Sequence, residues 1–303
     1  RQFISTTAGA SMMDGLSLNY AINSDYKVRV FAGADVKYYD DYYIEDIIDG
    51  FELSGNFMDG DLEAEVSYLQ KWDDGLLGKE LLGFNADLQA SDDLWLYNEL
   101  QWDTISERFS YALLGGKYRF KKPVSLRIEY LYSLPVFSST SIYSVFAVEE
   151  YEELMAELVW KVSRGWQFFT RFTREMYEEF EDASVVEIGL EKLRIGSLSG
   201  YLVTTLREDD DGQSMHGFKA YASYLINDKL RAGLGANVDV LERDIDYFDT
   251  DDEDQNETTS SRLWVDAKYE INDEMNVTGK YEYIESDLWD YYNRGTVRLN
   301  VLF

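Results

Sequence analysis

Apolar and polar residues alternate through most of this chain, in a series of short segments. In the segment 230–243, one set of alternate positions is Leu230, Ala232, Leu234, Ala236, Val238 and Val240, and the other includes Arg231, Gly233, Gly235, Asn237, Asp239 and Arg243. A period of two places the two sets on opposite faces of a β-strand. Segments 26–37, 62–72, 124–133, 217–226, 262–271 and 276–283 alternate in the same way. We therefore predict an all-β protein.

Short clusters rich in Gly, Asn, Asp or Ser separate these segments. They lie at 23–25, 59–60, 91–93, 121–123, 163–165, 196–197, 227–229 and 272–274. Such residues close tight hairpin turns, and the other connections are longer and less regular. Alternating short and long connections are typical of a transmembrane antiparallel β-barrel. Seventeen strands fit between Leu16 and Phe303 and residues 2–11 add one, so we predict about eighteen strands, with sixteen as the alternative.

One segment, 145–162, fits two structures. Tyr151, Leu154, Met155, Leu158 and Val162 follow helical spacing, whereas Leu154, Ala156, Leu158, Trp160 and Val162 follow a period of two. The period-two face ends at a turn cluster, which favours a strand. We predict a strand from about Glu153, preceded by a loop or a short helix.

Composition excludes several classes of protein. The chain has a mean hydropathy of −0.37, and it contains no run of about 18 apolar residues, so transmembrane helices are excluded. Transmembrane strands are not excluded, because alternation keeps their average hydropathy low. The absence of Cys excludes disulfides, thiolate metal sites and cysteine nucleophiles. A net charge of −30 argues against nucleic-acid binding.

The acidic residues are concentrated in the long connections. We take these as 12–14, 40–49, 73–78, 105–107, 135–153, 178–183, 208–213, 246–259 and 287–293. They contain thirty Asp and Glu residues and no Lys or Arg. This sorting places the net charge at one end of a barrel. A soluble β-sandwich or solenoid would also alternate, but it has no reason to sort its loops by length and charge.

The polar faces of the strands carry charges of both signs in nearly equal numbers. A dry protein core cannot hold so many charges, because each costs several kcal/mol to desolvate unless it is paired. Barrels of 16–18 strands enclose an aqueous channel. The composition of these faces therefore indicates a water-filled lumen.

The last strand, 293–303, has Val297, Leu299, Val301 and Phe303 on one face and ends on the aromatic residue. It resembles the C-terminal strand of bacterial outer-membrane β-barrels of the porin-like family. The resemblance implies a single domain, residues 1–303, integral to a Gram-negative outer membrane. The even number of strands places both termini on the periplasmic side. Residues 2–11 are expected to pair with this strand. The chain begins at Arg1 without a signal peptide, which we interpret as a mature or trimmed form.

For a porin-like barrel we expect passive diffusion of ions or small hydrophilic solutes, favouring cations because of the acidic loops. We expect a constriction lined by Arg119, Arg127, Arg171, Glu99, Glu129 and Glu175. The longest loop, 135–152, is expected to fold inward. The alternative is a structural sheath around a partner, such as the porin component of a porin–cytochrome electron conduit.

Other candidate sites are poorly supported by the sequence. His216 has Ser214 nearby, but two residues on one strand do not make a catalytic geometry, so we expect no enzyme and no cofactor. One acidic cluster suggests only loose divalent-cation binding: Asp249, Asp251, Asp252 and Asp254. It is not an EF-hand loop, because that loop needs a Gly and a closing Glu that this segment lacks. Expected partners are outer-membrane lipid, lipopolysaccharide bridged by divalent cations, a second copy of the chain or a periplasmic or extracellular protein such as a cytochrome.

Overall fold

The computed structural model describes residues 1–36, 45–121, 123–135, 149–242, 257–287 and 289–302. These residues form eighteen β-strands of one antiparallel sheet and a single turn of 3₁₀ helix, Met58–Gly60. The strands are β1 Gln2–Thr6, β2 Gly9–Ala21, β3 Tyr26–Asp35, β4 Ile47–Phe57, β5 Leu62–Asp73, β6 Leu76–Ser91, β7 Leu94–Asp103, β8 Arg108–Arg119, β9 Val124–Ser133, β10 Tyr151–Ser163, β11 Trp166–Tyr177, β12 Ala183–Lys192, β13 Leu198–Asp209, β14 Ser214–Leu225, β15 Leu230–Glu242, β16 Glu257–Asn272, β17 Met275–Ser286 and β18 Trp289–Val301. The predicted eighteen-stranded all-β fold is confirmed.

The eight short turns lie where the sequence predicts them, each following an even-numbered strand. Asn23 shows how such a turn is closed, since its side-chain oxygen accepts the backbone N–H groups of Asp25 and Tyr26, both at 2.8 Å. This is the local side-chain capping for which turns select Asn and Asp. The ambiguous segment is a strand from Tyr151, so the predicted strand is confirmed there. Residues 136–148, within the loop expected to fold inward, lie outside the described residues.

Two of the expected connections are wrong. Residues 12–14 lie inside β2 instead of in a loop. The connection expected at 73–78 is only the two-residue turn between β5 and β6, with φ of 51° at Asp74 and 74° at Gly75. Two positive φ values in succession characterise the type I′ hairpin turn, for which Asp-Gly is a favoured pair. The Asp-Gly signal is therefore a turn signal, although the residues around it are acidic.

The chain forms two compact units. Unit 1 consists of Arg1–Arg119, Arg127–Leu154 and Met176–Phe180, and unit 2 consists of Phe120–Leu126, Met155–Glu175 and Glu181–Phe303. Within each unit, consecutive strands pair in antiparallel register, for example Glu52 with Ser67 in unit 1 and Asp266 with Lys280 in unit 2. A slip of one residue would exchange the two faces of a strand, so this register determines which side chains share a face.

One face of each unit is apolar and exposed. Leu16 and Val297 are 75% and 81% exposed, and the same face carries Leu18, Tyr20, Val30, Leu53, Leu202, Leu234, Leu263 and Leu299. Monomeric soluble proteins seldom expose apolar surface on this scale, whereas the hydrocarbon of a bilayer covers it. None of the described residues belongs to a helix long and apolar enough to span a membrane.

The N-terminal residues differ most from the prediction. Residues 2–11 were expected to form one strand, but β1 ends at Thr6, the chain turns at Thr7 and Ala8, and β1 pairs with the first part of β2 from Gln2–Met13 to Thr6–Gly9. We call residues 1–13 the N-terminal hairpin. Gly9 has φ of +147°, a backbone conformation that L residues rarely adopt. The chain can therefore reverse at this point without steric strain.

Candidate functional site

The polar face of unit 1 is partly covered by the N-terminal hairpin. Seven buried apolar residues form a cluster there, three from the hairpin and four from β3–β6: Ile4, Ala8, Met13, Phe31, Ile48, Leu69 and Leu81. The last four share a face with charged residues of their strands, such as Arg29 beside Phe31 and Lys71 beside Leu69. These apolar side chains would be exposed on the polar face without the hairpin, so its docking removes them from water.

The tip of the hairpin is held by hydrogen bonds from three strands. The Ala8 N–H donates to Ser67 Oγ on β5 at 2.9 Å, and the Thr7 hydroxyl donates to Glu65 Oε1 at 2.7 Å. Gln101 Nε2 of β7 donates to the Thr7 and Ala8 carbonyl oxygens at 3.2 and 3.0 Å. Arg29 of β3 donates to the Ser5 carbonyl oxygen at 2.5 Å. The bonds to the Thr7 and Ala8 backbone satisfy groups that lie in the turn, outside the β1–β2 ladder.

The other end of the hairpin is held by charged groups. Lys71 Nζ lies 2.6 Å from Ser11 Oγ and 3.3 Å from Asp35 Oδ2, and the Ser11 hydroxyl also donates to Asp35. Arg1 forms an ion pair with Asp14 at 3.1 Å. Asp35 is the last residue of β3, before the connection 36–46. Arg1 therefore lies at the end of unit 1 that carries this long connection, whereas the predicted topology has it at the short-turn end.

The structure brings two of the four unit 1 residues of the expected constriction together. Arg127 pairs with Glu129 on the same strand at 3.4 Å, and Glu129 also accepts a hydrogen bond from the Tyr97 hydroxyl. Arg119 instead donates to the Asp92 carbonyl oxygen at 2.8 Å, at a short turn. Glu99 lies on β7, in register with Asn85 and Leu113. Arg119 is therefore engaged at the strand end and not with the Arg127–Glu129 pair.

In unit 2, the other two expected constriction residues bind different partners. The Arg171 guanidinium bridges two carboxylates on the strands either side of β11. It pairs with Glu157 of β10 and with Glu187 of β12, each at 2.7 Å. Glu175 accepts from Arg207 of β13 at 3.3 Å. The Arg171 contacts join adjacent strands and stabilise their pairing, whereas the Glu175–Arg207 pair spans β12. The pore-lining role of the six residues remains a prediction.

A basic residue of β11 also reaches the acidic connections of unit 2. Arg174 pairs with Asp182 at 3.1 Å and with Asp210 at 2.7 Å. The hydrogen bond from Arg174 holds the pKa of the Asp210 carboxyl below its usual value. By contrast, partial desolvation and the nearby Glu179 and Glu178 raise the pKa of Glu149 in unit 1. The acidic connections thus contain carboxylates that protonate at different pH values.

Three aromatic rings lie side by side on the polar face of β13, β14 and β16, and we call them the aromatic shelf. The Tyr221 and Trp264 rings are nearly parallel, with centroids 6.2 Å apart and planes 12° apart, and Tyr201 lies 5.8 Å from Tyr221. The shelf needs glycines on β15: an added Cβ at Gly235 would overlap Trp264, and one at Gly233 would overlap Tyr221. The glycines therefore allow the rings to lie flat across the strand between them.

The shelf lines an open cavity of about 430 Å³ in unit 2. Its charged residues are Arg231, Asp266, Lys280 and Arg298, and Thr278 and Thr296 complete the polar part of its wall. Arg231 pairs with Asp266 at 3.3 Å, and Lys280 pairs with Glu282 at 2.6 Å. The alternation along β15–β18 predicts that these charges lie on the polar face, but it does not predict the cavity. Its sequence signal is the pair of glycines two residues apart in β15, with aromatic residues on neighbouring strands.

The remaining candidates, His216 and the acidic cluster 249–254, do not form a site in the described part of the chain. His216 lies exposed on β14, and the Ser214 hydroxyl donates to Glu242 at 3.2 Å. Asp249, Asp251, Asp252 and Asp254 lie outside the described residues. Among the residues that are described, no group of three or more His, Asp or Glu side chains is placed to hold a metal ion.

No protein-family model and no curated protein matches the chain. Among solved structures, OccK3 (OpdO) of Pseudomonas aeruginosa matches with 13% identity and a TM-score of 0.56, over 91% of this chain and 84% of that chain. OccK10 (OpdN) of the same organism matches with 10% identity and a TM-score of 0.54, over 99% of this chain and 96% of that chain. The outer membrane channel DcaP of Acinetobacter baumannii matches with 11% identity and a TM-score of 0.49, over 92% and 97%. The two Pseudomonas structures show that this chain has the fold of the bacterial outer-membrane β-barrel porins.

Proposed function

We propose that the protein is an outer-membrane channel for the passive diffusion of ions and small hydrophilic solutes, without enzymatic activity. The observation that carries this proposal is the contrast between the two faces of each unit. One face exposes large apolar side chains, and the other carries cross-strand ion pairs. In the barrel fold the apolar face meets lipid and the charged face lines the interior.

The charged face has the properties of a wet surface. Arg171 keeps 34% of its side chain exposed although it holds two carboxylates. Arg231 and Arg262 are similarly exposed beside Asp266 and Glu282. Ion pairs that remain partly solvated avoid most of the desolvation penalty of a dry interior. This partial exposure supports a path for water and solutes along the face.

We propose that the channel favours cations, with its acidic end extracellular and its short turns periplasmic. The predicted long connections other than 12–14 and 73–78 contain 27 of the 58 acidic residues of the chain and no Lys or Arg. An acidic entrance raises the local concentration of cations. The same carboxylates would bind divalent cations that bridge to lipopolysaccharide, without a dedicated metal site.

The N-terminal hairpin would lie inside this channel, because it docks on the polar face of β3–β7. A hairpin of thirteen residues on that face narrows the space left for solutes. We therefore expect a conductance smaller than that of an unobstructed barrel of eighteen strands.

The test is a planar-bilayer recording of the purified full chain. A channel should give discrete current steps in KCl, and a KCl gradient should give a reversal potential of the sign for K⁺ permeation. Chloride selectivity at low salt would contradict the cation preference. Silent bilayers, together with a cytochrome that co-purifies with the chain, would instead favour the structural sheath.

A further inference from the structure

We propose that the aromatic shelf of Tyr201, Tyr221 and Trp264, together with Arg298, binds small ring compounds that carry one anionic group. The ring would stack on the shelf, and the anionic group would contact the Arg298 guanidinium. This proposal rests on the channel function, since it assigns a solute-binding site to the channel wall.

The shelf provides a flat apolar surface on a face that is otherwise polar. Tyr221 and Trp264 have nearly parallel planes, and both rings are only partly buried. Aromatic faces exposed to water bind flat rings by stacking, and such contacts are largely independent of what the ring is. The surface is pre-organised because Gly233 and Gly235 leave room for the rings to pack flat against the sheet. Little conformational entropy is therefore lost when a ring binds.

The charges around the shelf leave one cation available. Asp266 is engaged by Arg231 and by the Tyr221 hydroxyl, at 3.3 and 3.2 Å. Glu282 is engaged by Arg262 and Lys280. Arg298 is exposed, and its guanidinium has no ion-pair partner in the described part of the chain. Guanidinium groups bind oxyanions by charge-assisted, often bidentate hydrogen bonds, so an anionic group is the complementary ligand.

The Trp264 ring already interacts with two cations. Arg262 and Lys280 each lie 5.4 Å from the centre of the Trp264 ring. A further organic cation would be repelled by these charges, although an aromatic face alone would attract one. A neutral ring would stack but would leave Arg298 unused. The arrangement therefore favours a ring with a negative charge over both.

The cavity has room for a ligand of this size. Its volume of about 430 Å³ is at the lower end of the range for small-molecule sites. Because the cavity is open, a bound solute keeps contact with water and can leave quickly. Weak, reversible binding of this kind is what conduction through a channel requires.

The test uses three probes on the full chain in detergent, measured by isothermal titration calorimetry. Benzenesulfonate has a ring and a permanent negative charge, methanesulfonate has only the charge, and benzyl alcohol has only the ring. We expect benzenesulfonate to bind at least about tenfold more tightly than either of the other probes, since stacking and the charge contact each contribute on the order of a factor of ten. Equal affinity for methanesulfonate would overturn the role of the shelf.

Two substitutions separate the parts of the site. Gly235→Ala adds a methyl group beneath Trp264 and should remove the preference for benzenesulfonate, because the ring can no longer lie flat. Gly295→Ala, on β18, is the matched control, since an added Cβ there meets nothing within 4 Å and Gly295 does not line the cavity. Arg298→Gln should weaken benzenesulfonate about tenfold while benzyl alcohol is unaffected. Lys27→Gln, on β3 in unit 1, controls for the loss of one positive charge. Unchanged affinity in both Gly235→Ala and Arg298→Gln would overturn the proposal.

The same preparations are recorded in planar bilayers with KCl alone. Current steps without benzenesulfonate binding would overturn the site and leave the channel function intact. Binding without current steps would support the site and contradict the channel. Each variant must show the wild-type β signal in its circular dichroism spectrum. Tyr221→Phe keeps the aromatic ring, so it should retain benzenesulfonate binding if stacking is the cause.

Discussion

The Ala8 backbone N–H donates a hydrogen bond of 2.9 Å to the Ser67 hydroxyl, and both residues are fully buried. Ala8 belongs to the turn of the N-terminal hairpin, and Ser67 lies in the middle of β5 on the polar face. A buried contact between the tip of a hairpin and a strand nearly sixty residues away means that the hairpin is part of the folded structure. It leads to two predictions about the hairpin.

Gly83→Ala should undock the N-terminal hairpin. An added Cβ would overlap the Thr7–Ala8 backbone, which has no room to move because Ser67 and Gln101 hold it. We expect faster amide hydrogen exchange in residues 2–13 and a larger single-channel conductance. Gly279→Ala should change neither. Faster exchange with unchanged conductance would show that the hairpin does not narrow the pore.

Ser67→Ala should weaken the same contact more mildly. It leaves the Ala8 N–H buried without its partner, which costs about 1–3 kcal/mol. The cost should appear as increased exchange at Thr7 and Ala8, because those amides open locally before the sheet does. Ser67→Thr, which keeps the hydroxyl, is the matched control. Protection equal to wild type in Ser67→Ala would mean that another group accepts this hydrogen bond.

Arg171→Gln should increase the preference for cations. The substitution removes the partner of Glu157 and Glu187 at once, so two carboxylates lose their compensating charge. We expect the reversal potential to move toward that of K⁺. The free energy of unfolding should fall by about 1 kcal/mol, which is a modest loss because the ion pairs are partly exposed. Arg171→Lys retains the charge and should keep the wild-type selectivity. A shift toward chloride would contradict the placement of these groups in the ion path.

The cation preference should decrease as pH is lowered from 7 to 4. Glu149 has a raised pKa, so on acidification it loses its charge at a higher pH than Asp210 does. Asp210 has a lowered pKa. Its ion pair with Arg174 is therefore fully formed above pH 3.8, the ordinary pKa of this carboxyl group, and is lost only as the pH falls below that value. The change in reversal potential should therefore begin at a higher pH in the wild type than in Glu149→Gln. A pH-independent reversal potential would contradict a role of these carboxylates in selectivity.

Val297→Arg should impair insertion into membranes. Val297 lies in register with Gly279 near the middle of β18 and is 81% exposed on the apolar face. An arginine on the lipid face near the middle of a bilayer costs about 2–4 kcal/mol. Thr296→Arg, one residue earlier on the polar face, should fold into lipid vesicles as the wild type does. Equal folding yields of the two variants would mean that the faces are assigned the wrong way round.

The number of strands, the eight short turns and the identity of the two faces follow from the sequence. These features depend on local chemistry: a period of two separates the faces of a strand, and the short polar side chain of an Asn, Asp or Ser closes a turn. Ser91, Asn227 and Asn272 illustrate this, since each caps its own turn through its side chain. The extended strand in the ambiguous segment 145–162 could be predicted for the same reason, since the period of two persists to the turn at 163–165.

The contacts between distant residues do not follow from the pattern. Four successive strands each carry an apolar residue at a polar-face position: Phe31, Ile48, Leu69 and Leu81. This local exception to the alternation indicates that another part of the chain covers them. Its meaning depends on Ile4, Ala8 and Met13, which reach that face only because the chain reverses at Thr7 and Ala8. In the same way, Arg171 could pair with many carboxylates, and only the register of β10–β12 selects Glu157 and Glu187. Local alternation determines the faces, whereas cross-strand register and the docking of the hairpin determine which residues meet on them, because those distances depend on the whole sheet.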